Sequence, residues 1–119
     1  MRFAETSSLF GNEKDNSFKS TLGAIYQTFD GKDVYPTLEE KAANLLYMLV
    51  KNHSFNDGNK RIAAALFIYF LEKNNLLFDS NKNPIIDNNT LAAMTLMIAL
   101  SKPEEKEIMC LLVLNMLNN

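Results

Sequence analysis

A chain of 119 residues, 47% of them hydrophobic, is one domain's worth and enough to bury a single compact core. Its formal net charge of -2 argues against a general nucleic-acid binder, which needs a clear basic excess. A single cysteine, Cys110, rules out an intramolecular disulfide, and no apolar run approaches the roughly 20 residues that span a bilayer.

The first residues, Met1-Arg2-Phe3-Ala4-Glu5, lack the apolar stretch and cleavage site of a signal peptide, so a cytoplasmic protein is expected. A domain this short also fits a piece of a longer protein. Met1 to Lys19 is polar with scattered Phe and Leu and reads as loop with at most one short helix. Ile25-Tyr26-Gln27-Thr28-Phe29 is rich in β-branched and aromatic residues, Asp30-Gly31 is a strong turn dipeptide, and Val34-Tyr35 could return as a second strand. A small β-hairpin or flap is therefore expected here.

A helix should open at Pro36-Thr37-Leu38-Glu39-Glu40, with Thr37 as N-cap and Glu40 completing a capping box. Leu38, Ala42, Leu45, Leu46, Leu49 and Val50 keep helical spacing to about Asn52. After a polar loop from His53 to Gly58, a second helix runs from about Asn59 to Lys73. It is apolar almost all round from Ile62 to Leu71, as suits a helix through the middle of a domain. Asn74-Asn75 ends it, Leu76-Leu77-Phe78 is extended, and Asn88 or Asn89 caps a third helix over Thr90 to Leu100. Ser101 is the expected N-cap of the last helix, with Pro103 and acids in its first turn. Cys110 falls in that helix as a small apolar core residue. The expected fold is an all-α bundle with one hairpin, a single domain over 1–119 with its core at about 17–117.

The loop between the two central helices is where chemistry would sit. Gly58 lets backbone approach a ligand closely. The amides opening the next helix lack intrahelical partners and, with the helix dipole, attract anions such as phosphate. Lys60 and Arg61 add positive charge where the dipole disfavours it, which suits an expected anion. Asp57 beside phosphates calls for a bridging Mg²⁺. His53, the one histidine, can take a proton from an attacking hydroxyl near neutral pH. Phe55, between polar residues, would anchor the loop to the core. Each residue alone has an ordinary reading as a cap, a turn or a solvated face. Together, they leave the plain turn and the phosphate site about equally open.

His53-x-Phe55-x-Asp57-Gly58-Asn59-x-Arg61 resembles the signature of the Fic/Doc (Fido) family, and the surrounding layout is similar from about Ser17 to Leu77. The resemblance implies transfer of AMP or phosphate from a nucleotide, with ATP and Mg²⁺, to a hydroxyl of a target protein. It makes His53 the general base and Asp57 the Mg²⁺ ligand. Asn56, Gly58, Asn59 and Lys60 would form the phosphate-binding nest, and Arg61 would pair with a phosphate. Phe55 would be structural, and Tyr26, Gln27, Thr28, Phe29, Gly31 and Lys32 would form a flap that docks the target backbone as an added strand.

Two positions depart from the AMP-transferring pattern, which has Gly where Lys60 stands and a second Arg where Ala64 stands. Asn59-Lys60-Arg61 is instead similar to the death-on-curing (Doc) branch, whose type member is a phosphate-transferring toxin, while Gly58 is closer to the AMP-transferring branch. Ser101-Lys102-Pro103-Glu104-Glu105-Lys106 starts like the family's inhibitory helix, but Lys106 does not fit its last position. An antitoxin-like partner or another part of a longer protein would then supply inhibition. The target would be a cytoplasmic protein such as a translation factor, with no nucleic acid or membrane involved, and the family's dimers keep an oligomer open. The competing expectation is a Fic-like interaction module that has lost catalysis.

Overall fold

The computed structural model describes residues 19–51 and 59–118. Helix α1 occupies residues 19–25, followed by β1 (Thr28–Phe29), β2 (Lys32–Asp33), α2 (Leu38–Lys51), α3 (Asn59–Lys73) and α4 (Asn88–Leu100). A 3₁₀ turn (Pro103–Glu105) leads into α5 (Lys106–Leu117). This is the expected helical bundle with one antiparallel hairpin.

The hairpin is shorter than its β-branched residues suggest. Asp30 and Gly31 take φ of 55° and 78°, the two left-handed positions of a type I′ turn, so Phe29 pairs directly with Lys32 and Thr28 with Asp33. Ile25, expected in a strand, instead ends α1 fully buried in the core. Val34 does not form a strand but extends the ladder by one bond, donating to Gln27 at 3.1 Å. A Cβ at Gly31 would meet nothing within 4 Å, so the cost of alanine there is conformational alone. Gly31→Ala should lower stability by about 1–2 kcal/mol, read as an earlier midpoint in urea denaturation.

Helix α2 opens as expected: the Glu40 amide donates to Thr37 Oγ1 at 3.0 Å, and that hydroxyl donates to Glu40 Oε1 at 3.1 Å. It packs against α3, α4 and α5, and every residue from Lys41 to Tyr47 is buried. Such a run leaves no solvent face, which accounts for burial of Lys41 and Asn44 in a helix whose apolar spacing looked one-sided. The Lys41 ammonium is satisfied by Asp33 Oδ2 at 3.1 Å, by the Tyr35 carbonyl, and by the Tyr26 ring 5.5 Å away. It therefore fastens both arms of the hairpin to the first turns of α2.

In α3 no residue from Ile62 to Leu71 is exposed, and Leu66, Phe67 and Leu71 are wholly buried, as the all-round apolar pattern implies. Asn75, at φ 60°, ends it in a Schellman arrangement, with Leu76 N–H on the Leu71 carbonyl at 2.7 Å and Asn75 N–H on that of Glu72 at 3.3 Å. The loop beyond is closed by Asp79, whose Oδ1 accepts from the amides of Asn81 and Asn83.

Two caps differ from expectation. The α4 N-cap is Asp87, accepting from Thr90 N–H at 2.7 Å, so the helix begins before Asn89 and takes both asparagines into its first turn. That bond, made to the charged form, holds the Asp87 carboxyl below the usual carboxylate range. Ser101 closes α4 rather than opening the next helix: its hydroxyl donates back to the Ile98 carbonyl at 2.7 Å. Pro103 then begins the 3₁₀ turn, and Glu105 Oε1 accepts the Lys102 amide at 2.7 Å.

Candidate active site

The candidate residues of the motif fall, in sequence, on the connection from α2 to α3 and on the first turn of α3. His53, Phe55, Asn56, Asp57 and Gly58 lie in 52–58, outside the described residues, so the structure defines the two ends that hold them. On the near side, half-buried Lys51 closes α2 by donating to the carbonyls of Ala99, at 3.5 Å, and Ser101. Carbonyls at the end of α4 carry partial negative charge and lack helical partners, so a cation is favoured there. These bonds tie the end of α2 to the end of α4.

On the far side, α3 begins at Asn59, so the amides of Asn59, Lys60 and Arg61 belong to the turn that has no intrahelical acceptors. No acidic residue occupies that turn to neutralise it. The Arg61 side chain is exposed and lines a groove of about 420 Å³ with Ala64 of α3 and Asn88, Leu91, Thr95 and Leu96 of α4. An anion meeting Arg61 would thus have α3 amides on one side and an apolar trough on the other. Sequence reasoning missed the α4 wall, because its residues follow Arg61 at long range and read as an ordinary apolar helix. Ala64 is half-buried, so the position of the family's second arginine faces this trough with a methyl group.

Tyr26, Gln27, Thr28, Phe29, Gly31 and Lys32 are all exposed, Phe29 at 80%. Their hairpin is anchored at the other end of the central helices. Tyr26 meets Lys41 in the first turns of α2 and Phe70 near the end of α3, with ring centroids 6.5 Å apart. Helices α2 and α3 therefore run antiparallel, and Phe70 stands about 16 Å along the α3 axis from Asn59. Anchored there, Tyr26 is roughly three helical turns from the N-terminal end of α3.

Cys110 has the bland environment expected of it. Its thiol is half-buried, donates weakly to Asn44 Oδ1 at 3.6 Å, and is pushed up by burial, with the Lys106 charge pulling the other way. Among the described residues no helix is long and apolar enough to cross a membrane, and no three metal-ligating side chains cluster.

No solved structure matches the chain. Over 47 residues it is 51% identical to the protein named Toxin Doc of Mycolicibacterium smegmatis, a stretch covering 40% of this chain and 36% of that relative. The matched part is thus little more than a third of the relative's length. The model of the Fic/DOC family matches residues 2–71, more than half of the chain, taking in the hairpin, α2, the nine-residue motif and most of α3, and on that extent the chain belongs to the Fic/DOC family.

Proposed function

We propose that this chain transfers a phosphate-containing group from ATP to a hydroxyl of a target protein. The observation that carries the reading is the set His53, Asp57, Asn59 and Arg61, spaced in sequence from just after the anchored end of α2 into the first turn of α3 in a Fic/DOC chain. His53 takes the proton of the target hydroxyl as its oxygen attacks phosphorus. Attack at the α-phosphorus leaves AMP on the target and releases pyrophosphate. Attack at the γ-phosphorus leaves phosphate on the target and releases ADP. The amides of Gly58, Asn59 and Lys60 receive phosphate oxygens, with Asn56 beside them, and Arg61 pairs with a phosphate as charge builds up. Asp57 would hold Mg²⁺, which when bound neutralises phosphate charge. Phe55 would be the structural residue of the motif, as the resemblance implies.

The exposed hairpin, fixed near the other end of α2 and α3, contributes to target contact at a distance rather than at the reacting centre. The likeness to a protein named Toxin Doc supports a toxin whose activity an antitoxin-like partner restrains in the cytoplasm. The half-buried methyl of Ala64, where a second arginine would grip the nucleotide, supports the second reading of a Fic-like interaction module without catalysis.

ATP labelled on the α-phosphate or on the γ-phosphate, incubated with the chain, Mg²⁺ and host lysate, separates these readings. Protein-bound α-label means AMP transfer and γ-label means phosphate transfer. No His53-dependent label from either leaves the interaction module. Lys60→Gly tests what the Lys does to the nest: it is expected to raise α-label transfer relative to γ-label, because glycine opens the tight backbone turn to the outer phosphates. An unchanged ratio would remove Lys60 from the choice of transferred group.

A further inference from the structure

Away from the motif, the first half of α2 and the flank of α5 enclose a groove of about 580 Å³. Its floor is Ala43 and Asn44 of α2 with Cys110 and Leu114 of α5, and Val34 and Tyr35 close it on the hairpin side. The polar groups of the floor are already paired: Asn44 donates to the Glu40 carbonyl and accepts from the Cys110 thiol, whose pKa burial raises. Leu111, 53% exposed, carries the apolar surface out of the groove. Two neighbouring helices with such a trough between them present the shape that takes a third helix.

The rim decides which helix. Glu40, Glu104 and Glu107 line it, against the single cation Lys106. Lys106 is already engaged, its ammonium 5.6 Å from the centroid of the Tyr47 ring. Glu104 and Glu107 are exposed, and among the described residues neither has an ion-pair partner. The trough is therefore apolar at its base and negative along one edge.

We propose that this groove docks a basic amphipathic helix of a partner protein, its apolar side chains against Ala43, Cys110 and Leu114 and its lysine or arginine heads against Glu104 and Glu107. Charges on such a rim select the partner and speed encounter, while the apolar floor supplies the burial, so binding should weaken with salt without vanishing.

Cys110 is the one thiol of the chain and lies in the floor, so it reports occupancy directly. The probe is a short helical peptide of leucine and lysine in amphipathic order, with a leucine–glutamate peptide as its counterpart. The readout is the rate of iodoacetamide alkylation of Cys110 in the folded chain. The leucine–lysine peptide should slow alkylation about tenfold once it exceeds its dissociation constant about tenfold. Charge reversal by Glu104→Lys with Glu107→Lys, both at exposed positions, should remove most of that protection, and the acidic peptide should give little. Equal protection by both peptides, binding without protection of Cys110, or protection unchanged in the charge-reversed chain would each overturn the proposal. Loss of His53-dependent transfer has no bearing on this outcome, since the groove is tested without nucleotide.

Discussion

His53→Ala is expected to cut the rate of label transfer from ATP by about 10²–10⁴-fold, the range a positioned general base supplies. ATP affinity and thermal stability should stay near those of the unmodified chain. The separation follows from where the binding groups lie. In the proposed mechanism the phosphate is held by the amides at the start of α3 and by Arg61, and α3 is seated in the core by Ala63, Leu66 and Phe67. The target hydroxyl, by contrast, is a poor nucleophile at neutral pH until its proton has somewhere to go. Isothermal titration with a non-hydrolysable ATP analogue and a labelling time course on the same preparation give both quantities. Transfer that survives the substitution would remove His53 from the base role. Loss of ATP affinity in parallel would mean that His53 binds nucleotide rather than activating the acceptor.

Phe67→Ala should destabilise the fold by about 3–5 kcal/mol, the range for emptying a wholly buried aromatic site. Phe67 is 0% exposed, midway along α3, which packs on both α2 and α4. A domain of this size has only about 5–15 kcal/mol in all, so roughly a fifth or more of its stability would go, with a fall in the melting temperature of roughly 10–20 °C. Because α3 also supplies the amides and Arg61 of the candidate site, nucleotide binding should fail at a lower temperature than in the unmodified chain. Phe67→Leu, which fills most of the space, should cost less than half as much. Urea denaturation of the two variants checks the ordering; equal midpoints for both would mean that the site collapses around the missing ring.

The local signals in the sequence were sound wherever one short-range interaction decides the structure. Thr37 with Glu40, Asp30 with Gly31, and Asn75 after α3 each act within a few residues, and each was realised as capping box, type I′ turn and helix stop. The apolar run from Ile62 to Leu71 likewise announced a helix with no solvent face. Two caps differed: Asp87 took the place of Asn88 and Asn89 at the start of α4, and Ser101 turned its hydroxyl back to the Ile98 carbonyl instead of capping the next helix.

The nine-residue motif and its family could be read from the chain alone, because the residues that carry them are contiguous. Tertiary structure alone decided what lies beside them. Packing brought α4 against Arg61, brought Lys51 to the end of α4, buried Lys41 under the hairpin, and set that hairpin near Phe70 rather than near Asn59. None of these pairings leaves a periodic trace, since each joins residues far apart in sequence whose meeting depends on how helices pack, not on which helices form.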